Sequence, residues 1–141
     1  MNSGGNIVNG SGYTCLSDER CVLVKFGLNQ FIGKEVSKAF FLFTLSNSTS
    51  TTSSGKLTFR LIPENIYWSE TGAGGIIYEN ILEYPVIDTE FFDIERSGQD
   101  DESIDISNWI IAIAKEKIAN NGILITSTDI IRIKDLKMSV K

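Results

Sequence analysis

Short segments in which apolar and polar residues alternate recur along this chain, and they constrain its fold more than any other feature. The clearest is residues 56–62, KLTFRLI, where every second side chain is apolar and where Thr58 and Arg60 fall on the opposite face. Because successive side chains of a strand point to opposite sides, this pattern predicts a strand with one buried face. Residues 21–26, CVLVKF, predict a second strand. Residues 38–45, KAFFLFTL, are nearly apolar on both faces and predict a strand deep in a sheet.

The rest of the chain predicts further short strands and one helix. The strand candidates are residues 76–78, 85–88, 91–94, 103–106, 123–126 and 131–140, the last one bulged near Lys134-Asp135. Apolar residues recur at helical spacing over about residues 108–119, where Ser107 can cap the first turn and Asn121-Gly122 can end the helix. Many short strands with one late helix predict an all-β fold, an antiparallel jelly-roll-like β-sandwich.

The polar stretches of the chain predict loops. Residues 46–55 are rich in Ser, Thr and Asn and cannot bury enough apolar surface to order themselves, so we expect a mobile hairpin loop there. Residues 95–102 are charged and contain a glycine, so they also predict a loop.

The length and composition of the chain favour one globular domain. A chain of 141 residues can bury one sizeable core, and we expect residues 20–141 to form the β-sandwich, with residues 1–19 as an N-terminal extension or a partial first strand. The apolar fraction is 42% and no apolar run approaches the roughly 20 residues that span a bilayer. The formal net charge of -5 disfavours nucleic acid as a partner, because that affinity depends on Lys and Arg neutralising phosphates.

The first residues and the cysteines bear on where the protein works. Residues 1–6, MNSGGN, lack the basic and apolar segments of a secretory signal, and we expect either an excised piece of an exported protein or a small subunit. Cys15 and Cys21 are the only cysteines, and they either form a disulfide that closes a short loop or remain two thiols. Because the chain has no histidine, a structural zinc site is disfavoured.

No segment of the sequence contains a recognisable catalytic motif or a defined metal-binding loop. The best enzymatic case is a carboxylate pair, Glu70 and Glu79, acting on a glycosidic bond, but nothing in the sequence fixes the separation that this mechanism requires. We therefore expect a protein that is not an enzyme. Calcium is a candidate cofactor because several acidic residues could supply oxygen ligands, although they could equally form solvated loops. These residues are Asp88, Asp93, Glu95, Asp100, Asp101 and Glu102.

Several short motifs occur in the same order as in a known family. The segment RCVLVKF at residues 20–26 is similar to the strand that opens the DNRLRE-type domains, also grouped with the family 96 carbohydrate-binding modules. Further similarities follow through Val36, Ala39 and Leu42, then Trp68-Ser69-Glu70, then Tyr78 with Asn80, then residues 103–107 and 121–125. The resemblance covers roughly residues 20–126. It implies a jelly-roll β-sandwich appended to extracellular or cell-surface proteins, where it binds polysaccharide or serves as a rigid spacer.

Candidate ligand contacts can be chosen by chemistry. Aromatic faces stack on the apolar patches of sugars, and charged or amide side chains bond to their hydroxyls. The residues that offer these groups within a short span are Arg60, Tyr67, Trp68, Tyr78 and Asn80. Two of them have a structural alternative, because Trp68 can equally be a core residue and Arg60 a solvated residue on a strand.

A second class of function is open. A chain rich in Ser, Thr and Asn with apolar strands could be a structural or assembly subunit of a surface filament, an appendage or a viral particle. A carbohydrate module should present an exposed aromatic platform, whereas an assembly subunit should oligomerise through a sheet edge or an exposed apolar patch.

Overall fold

A computed structural model describes residues 6–15, 18–66, 68 and 81–141 of the chain, with residues 14, 15, 18 and 19 described by their backbone alone. Three of the expected ligand contacts, Tyr67, Tyr78 and Asn80, lie outside the described residues. The expected strand at residues 76–78 and the carboxylate pair Glu70 and Glu79 lie outside them as well.

The described residues form eight strands and one α-helix. The strands are β1 (Asn6–Cys15), β2 (Asp18–Phe26), β3 (Ala39–Ser46), β4 (Ser53–Leu61), β5 (Val86–Ile94), β6 (Gln99–Asp105), β7 (Ile123–Ser127) and β8 (Arg132–Val140). The helix α1 (Ser107–Ala114) lies between β6 and β7, and two short 3₁₀ helices occupy Asn29–Phe31 and Ile81–Glu83.

All the strand pairs are antiparallel, and the strands follow one continuous order, β5-β4-β7-β2-β1-β8-β3-β6. Strand β1 joins two halves, because residues 6–9 pair with β8 whereas residues 10–15 pair with β2. We name the half β1-β8-β3-β6 the β3 sheet and the half β2-β7-β4-β5 the β4 sheet. These two strand orders are those of a double-sheet jelly roll. The predicted all-β, jelly-roll-like β-sandwich is thereby confirmed.

The core between the two sheets is aromatic at its centre. Phe41 of β3 contacts Phe59 of β4 edge to face, with ring centroids 6.0 Å apart, and Phe26 of β2 in the same way at 5.6 Å. The ring centroids of Phe43 and Phe59 are 5.5 Å apart. Such pairs contribute about 0.5–1.5 kcal/mol each beyond the area that they bury. The alternation predicted for residues 21–26 and 56–62 therefore places the expected apolar faces in the core, and the apolar strand predicted at residues 38–45 contributes Phe41 and Phe43 to it.

A second apolar cluster lies on the outer face of the β4 sheet. Its buried members are Cys21, Leu23, Ile62, Trp68, Tyr84 and Leu124. The strands supply Cys21, Leu23 and Leu124, and the connection between β4 and β5 supplies the other three. Ile62, Trp68 and Tyr84 therefore cover part of the outer face of the β4 sheet, on the side away from the core.

The helix is shorter than predicted. It begins at Ser107 and ends at Ala114, not at about residue 119. The Ser107 side chain makes no capping hydrogen bond to the helix; its hydroxyl accepts from the backbone N–H of Ala39 at 2.9 Å instead. Asp105 accepts a hydrogen bond from the Ser107 backbone N–H at 2.8 Å, and hydrogen bonding with Ser107 holds the pKa of Asp105 below its ordinary value.

Other boundaries also differ from the sequence predictions. The two expected strands at residues 85–88 and 91–94 are one strand, β5, and the expected loop at residues 95–102 is confined to the turn before β6. The segment expected to be an extension or a partial first strand contains β1, a strand of ten residues. The predicted irregularity of β8 is confirmed, because the register shifts opposite Leu42 and Thr44 and Asp135 has φ +54°.

The polar loop between β3 and β4 is tied to the fold by one amide. Asn47 is only 3% exposed, and its Nδ2 donates to the backbone oxygens of Thr51 and Ile94, both at 2.8 Å. Its Oδ1 accepts from the Thr49 backbone N–H at 2.9 Å. The expectation that this loop lacks ordering contacts is therefore wrong at Asn47.

Candidate binding cleft

A cleft of about 870 Å³ lies where β1 and β2 meet the end of α1. This volume falls within the roughly 300–1,000 Å³ that small-molecule sites occupy. Asn9, Ser11 and Tyr13 line it from alternate positions of β1, and Lys25 joins them from β2. Ser11 and Lys25 are directly opposite each other in the ladder, so their side chains share one face of the sheet. Asn29, Glu64 and residues 116–120 also line this site. We call it the β1–β2 cleft.

Trp68 packs behind two residues that line the β1–β2 cleft, Lys25 and Tyr13. The Lys25 Nζ lies 5.0 Å from the centroid of the Trp68 ring, and the Tyr13 ring meets it edge to face at 6.1 Å. The Trp68 side chain is 4% exposed, and its Nε1 donates to the Asn121 backbone oxygen at 2.7 Å. Because a cation over a tryptophan face is attracted by the ring quadrupole, Trp68 helps to position Lys25.

The backbone at Asn121-Gly122 is shaped around Trp68. Gly122 has φ +92°, and a Cβ added there would lie 2.8 Å from the Trp68 Cζ2 atom and 2.7 Å from the Val24 backbone oxygen. The predicted left-handed residue is therefore present at Gly122, but it serves this close approach and does not end α1. The amide of Asn121 donates to the backbone oxygens of Pro63 and Ile66, both at 2.7 Å, and so ties the β4–β5 connection to this point.

Helix α1 ends in a turn that brings Glu116 to the β1–β2 cleft. The backbone N–H of Glu116 donates to the Ile113 oxygen at 2.9 Å, and that of Lys117 donates to the Ala112 oxygen, also at 2.9 Å. These two bonds form a Schellman motif, whose left-handed position is usually glycine. Here Glu116 occupies it, with φ +56°. A side chain in this conformation costs about 1–2 kcal/mol, because its Cβ approaches the following carbonyl.

Amide side chains complete the lining of the β1–β2 cleft. The Asn120 Nδ2 donates to the Phe26 backbone oxygen at 2.7 Å, which fixes the segment after α1 against the end of β2. The Asn120 Oδ1 is buried and accepts no hydrogen bond from the described residues. A buried acceptor left unpaired costs about 1–3 kcal/mol, so a donor that reached it would recover that energy.

Arg60 does not line this cleft; it lies on the same outer face of the β4 sheet as Lys25, but on β4, two strands away from β2. It is half-buried, its Nη1 donates to the Thr126 Oγ1 at 3.4 Å, and its Nε is buried with no hydrogen-bond acceptor among the described residues. Arg60 and Trp68 both adjoin Leu124, the first as its partner in the ladder and the second in the same apolar cluster. Of the two expected contacts that are described, one is therefore a support of the β1–β2 cleft, and the other lies on a neighbouring surface.

Most residues of the β1–β2 cleft and one exposed aromatic residue were not predicted from the sequence. Tyr13, Asn29 and Glu116 carry no motif, and only the folded chain brings them together. Phe91 is 81% exposed on β5, directly opposite Lys56. A signal for it existed, because consecutive phenylalanines in a strand, such as Phe91 and Phe92, cannot both face the core.

The acidic residues that are candidate calcium ligands do not form a metal-binding cluster of three or more side chains in the described part of the chain. Within residues 6–15, 18–66, 68 and 81–141, no group of three or more carboxylate or cysteine side chains is placed to hold a metal ion. Glu102 has a pKa raised above its ordinary value by burial, and next by the nearby charges of Asp100 and Glu90. Cys21 is disulfide-bonded, and it is buried in the outer cluster beside Leu23.

No protein-family model matches the chain, and a search of curated proteins found no match either. The resemblance to the DNRLRE-type domains therefore stays a prediction. In the part of the chain that the structure describes, no helix has the length and apolar character needed to cross a membrane.

Proposed function

We propose that this protein is a non-catalytic, extracellular β-sandwich module that binds polysaccharide in the β1–β2 cleft. One observation carries the proposal: an open cleft of about 870 Å³ that is lined by amide, hydroxyl and charged side chains beside a tyrosine. Sugars present hydroxyls that bond to such groups and apolar C–H patches that stack on aromatic rings. Asn9, Asn29 and Asn120 supply amides, and Tyr13 supplies the ring.

The rigidity of the cleft also supports this function. Tyr13 and Lys25 rest on Trp68, which is hydrogen-bonded to Asn121, while Asn120 ties the segment after α1 to Phe26. Side chains that are held in place before binding lose less entropy when a ligand arrives. A flexible polymer, which pays its own ordering cost, is best bound by such a surface.

Affinity electrophoresis tests the proposal. The wild-type chain should be retarded in a gel that contains a polysaccharide it binds, and Lys25→Ala and Asn29→Ala should reduce that retardation because both exposed residues line the cleft. Lys56→Ala is the matched control, because it removes the same charge from the outer face of β4. Arg60→Ala tests the contact expected from the sequence. Loss of retardation with Arg60→Ala alone would contradict the cleft and move the site to the surface around Arg60 on β4.

A structural or assembly subunit is the second candidate function. Phe91 supports it, because a largely exposed phenylalanine lies on β5, the edge strand of the β4 sheet. Exposed edges and apolar groups allow strands of separate chains to join. Light scattering during size-exclusion chromatography should then give the molar mass of a multimer, and Phe91→Ser should dissociate that multimer. A monomer for the wild-type chain would argue against this function.

A further inference from the structure

We propose that the β1–β2 cleft selects an uncharged polysaccharide and that Glu116 is the residue that sets this preference. The inference rests on the proposed polysaccharide-binding function and adds to it the class of polymer and a specificity-determining residue.

The charges that line the cleft are balanced. Lys25 and Lys117 are the basic lining residues, and Glu64 and Glu116 the acidic ones. Acidic polymers are usually held by clustered basic groups, with arginine favoured for carboxylate and sulfate. No arginine is among the described lining residues, and the chain as a whole carries a formal net charge of -5. Both facts weigh against a polyanionic ligand.

Lys25 is also partly committed within the protein. Its ammonium lies 5.0 Å from the centroid of the Trp68 ring. Because the ring face already attracts this positive charge, Lys25 gains less from binding an anion. Carboxylates and amides, by contrast, accept hydrogen bonds from sugar hydroxyls. The lining of the cleft is therefore better suited to hydroxyls than to anionic groups.

Glu116 stands out among these residues because of its backbone. The Schellman turn after α1 would be relaxed with glycine, yet a glutamate with φ +56° occupies the left-handed position at the cleft. Residues held in sparsely populated conformations cluster at binding sites, where the strained residue serves the ligand. We assign to the Glu116 carboxylate the role of accepting hydroxyl hydrogen bonds from a neutral sugar and of repelling anionic polymers.

Three variants of the full-length chain test this role by affinity electrophoresis and thermal unfolding. Glu116→Gly should raise Tm by a few degrees (about 2–5 °C) because it relieves the strain, and should weaken the retardation by a neutral polymer at least about tenfold. Ser97→Gly is the matched control, because Ser97 also has φ +61° but does not line the cleft, so Tm should rise with no change in retardation. Glu116→Lys should allow retardation by an acidic polymer.

The probes are hydroxyethyl cellulose and galactomannan as neutral polymers and polygalacturonate and heparin as acidic ones. Retardation of the wild-type chain by neutral polymers only, together with its loss in Glu116→Gly, would support the inference. Equal retardation of Glu116→Gly and wild type would overturn the role of Glu116 while polysaccharide binding stands. Retardation of the wild type by acidic polymers would overturn the neutral class. If no polymer retards the wild type, the proposed function itself fails, and this inference fails with it.

Discussion

The Nζ of Lys25 lies 5.0 Å from the centroid of the Trp68 ring, so a buried tryptophan carries a charged side chain of the β1–β2 cleft on its face. Trp68 reaches this position from the β4–β5 connection, whereas Lys25 belongs to β2. The contact joins the apolar cluster on the outer face of the β4 sheet to the cleft. Packing on the outside of this sheet and the geometry of the cleft are therefore linked.

Trp68 should be a major source of stability. We expect Trp68→Ala to lower the free energy of unfolding by about 3–5 kcal/mol, as truncation of a buried aromatic does. Trp68→Phe should cost less, since it keeps a ring but loses the hydrogen bond to the Asn121 oxygen. Urea unfolding measures both. Phe91→Ala is the control, because Phe91 is exposed and its truncation should change stability by about 0.5 kcal/mol or less. Equal losses at the two positions would contradict the placement of Trp68.

The loop between β3 and β4 should depend on Asn47. We expect Asn47→Ala to lower the free energy of unfolding by about 1–3 kcal/mol, because the buried Ile94 backbone oxygen loses its hydrogen bond from the Asn47 amide. Chemical denaturation measures the loss, with Asn108→Ala as an exposed control on α1. If both variants unfold at the same denaturant concentration as wild type, the Asn47 amide does not hold the loop.

Glu102 should make stability fall as the pH rises. Burial and the charges of Asp100 and Glu90 raise its pKa in the folded state above the ordinary value of 4.5. A carboxyl with a raised folded pKa binds its proton more tightly when folded, so stability is lost as the pH rises from the unfolded pKa through the folded pKa. Glu102→Gln should therefore raise Tm at pH 7 and lose that advantage below about pH 4.

Thermal unfolding of Glu102→Gln at the two pH values checks this sign. Glu35→Gln is the control, because Glu35 is exposed and its replacement should leave Tm nearly unchanged at both. A Tm gain for Glu102→Gln that is the same below about pH 4 as at pH 7 would show that ionisation of Glu102 is not its cause.

Periodicity predicted the sheets well because each inward face is continuous. The alternation around Phe59 and the double apolar face around Phe41 are local patterns, and both strands meet in one aromatic core. The predicted bulge in β8 also has a local signal, because the consecutive charged residues Lys134 and Asp135 interrupt the alternation of polar and apolar residues along the strand. Local patterns were sufficient wherever burial repeats along a single strand.

Features that depend on distant partners, or that lack their usual sequence signal, were missed. The helix stops early because Glu116 takes a left-handed conformation, although no glycine marks that position. Asn47 orders a polar loop through a hydrogen bond to Ile94, which lies 47 residues away in sequence. The β1–β2 cleft needs β1, β2 and the end of α1 together, so no single segment could reveal it.

An NMR titration of the ¹⁵N-labelled chain of 141 residues, with an oligosaccharide of a polymer that retards it, tests most directly whether polysaccharide binds in the β1–β2 cleft. We expect the changes in amide chemical shift to concentrate at Ser11, Lys25, Asn29, Glu116 and Asn120, which line the cleft. Changes concentrated at Thr58, Arg60 and Phe91, or no changes at saturating oligosaccharide, would contradict a polysaccharide site in this cleft.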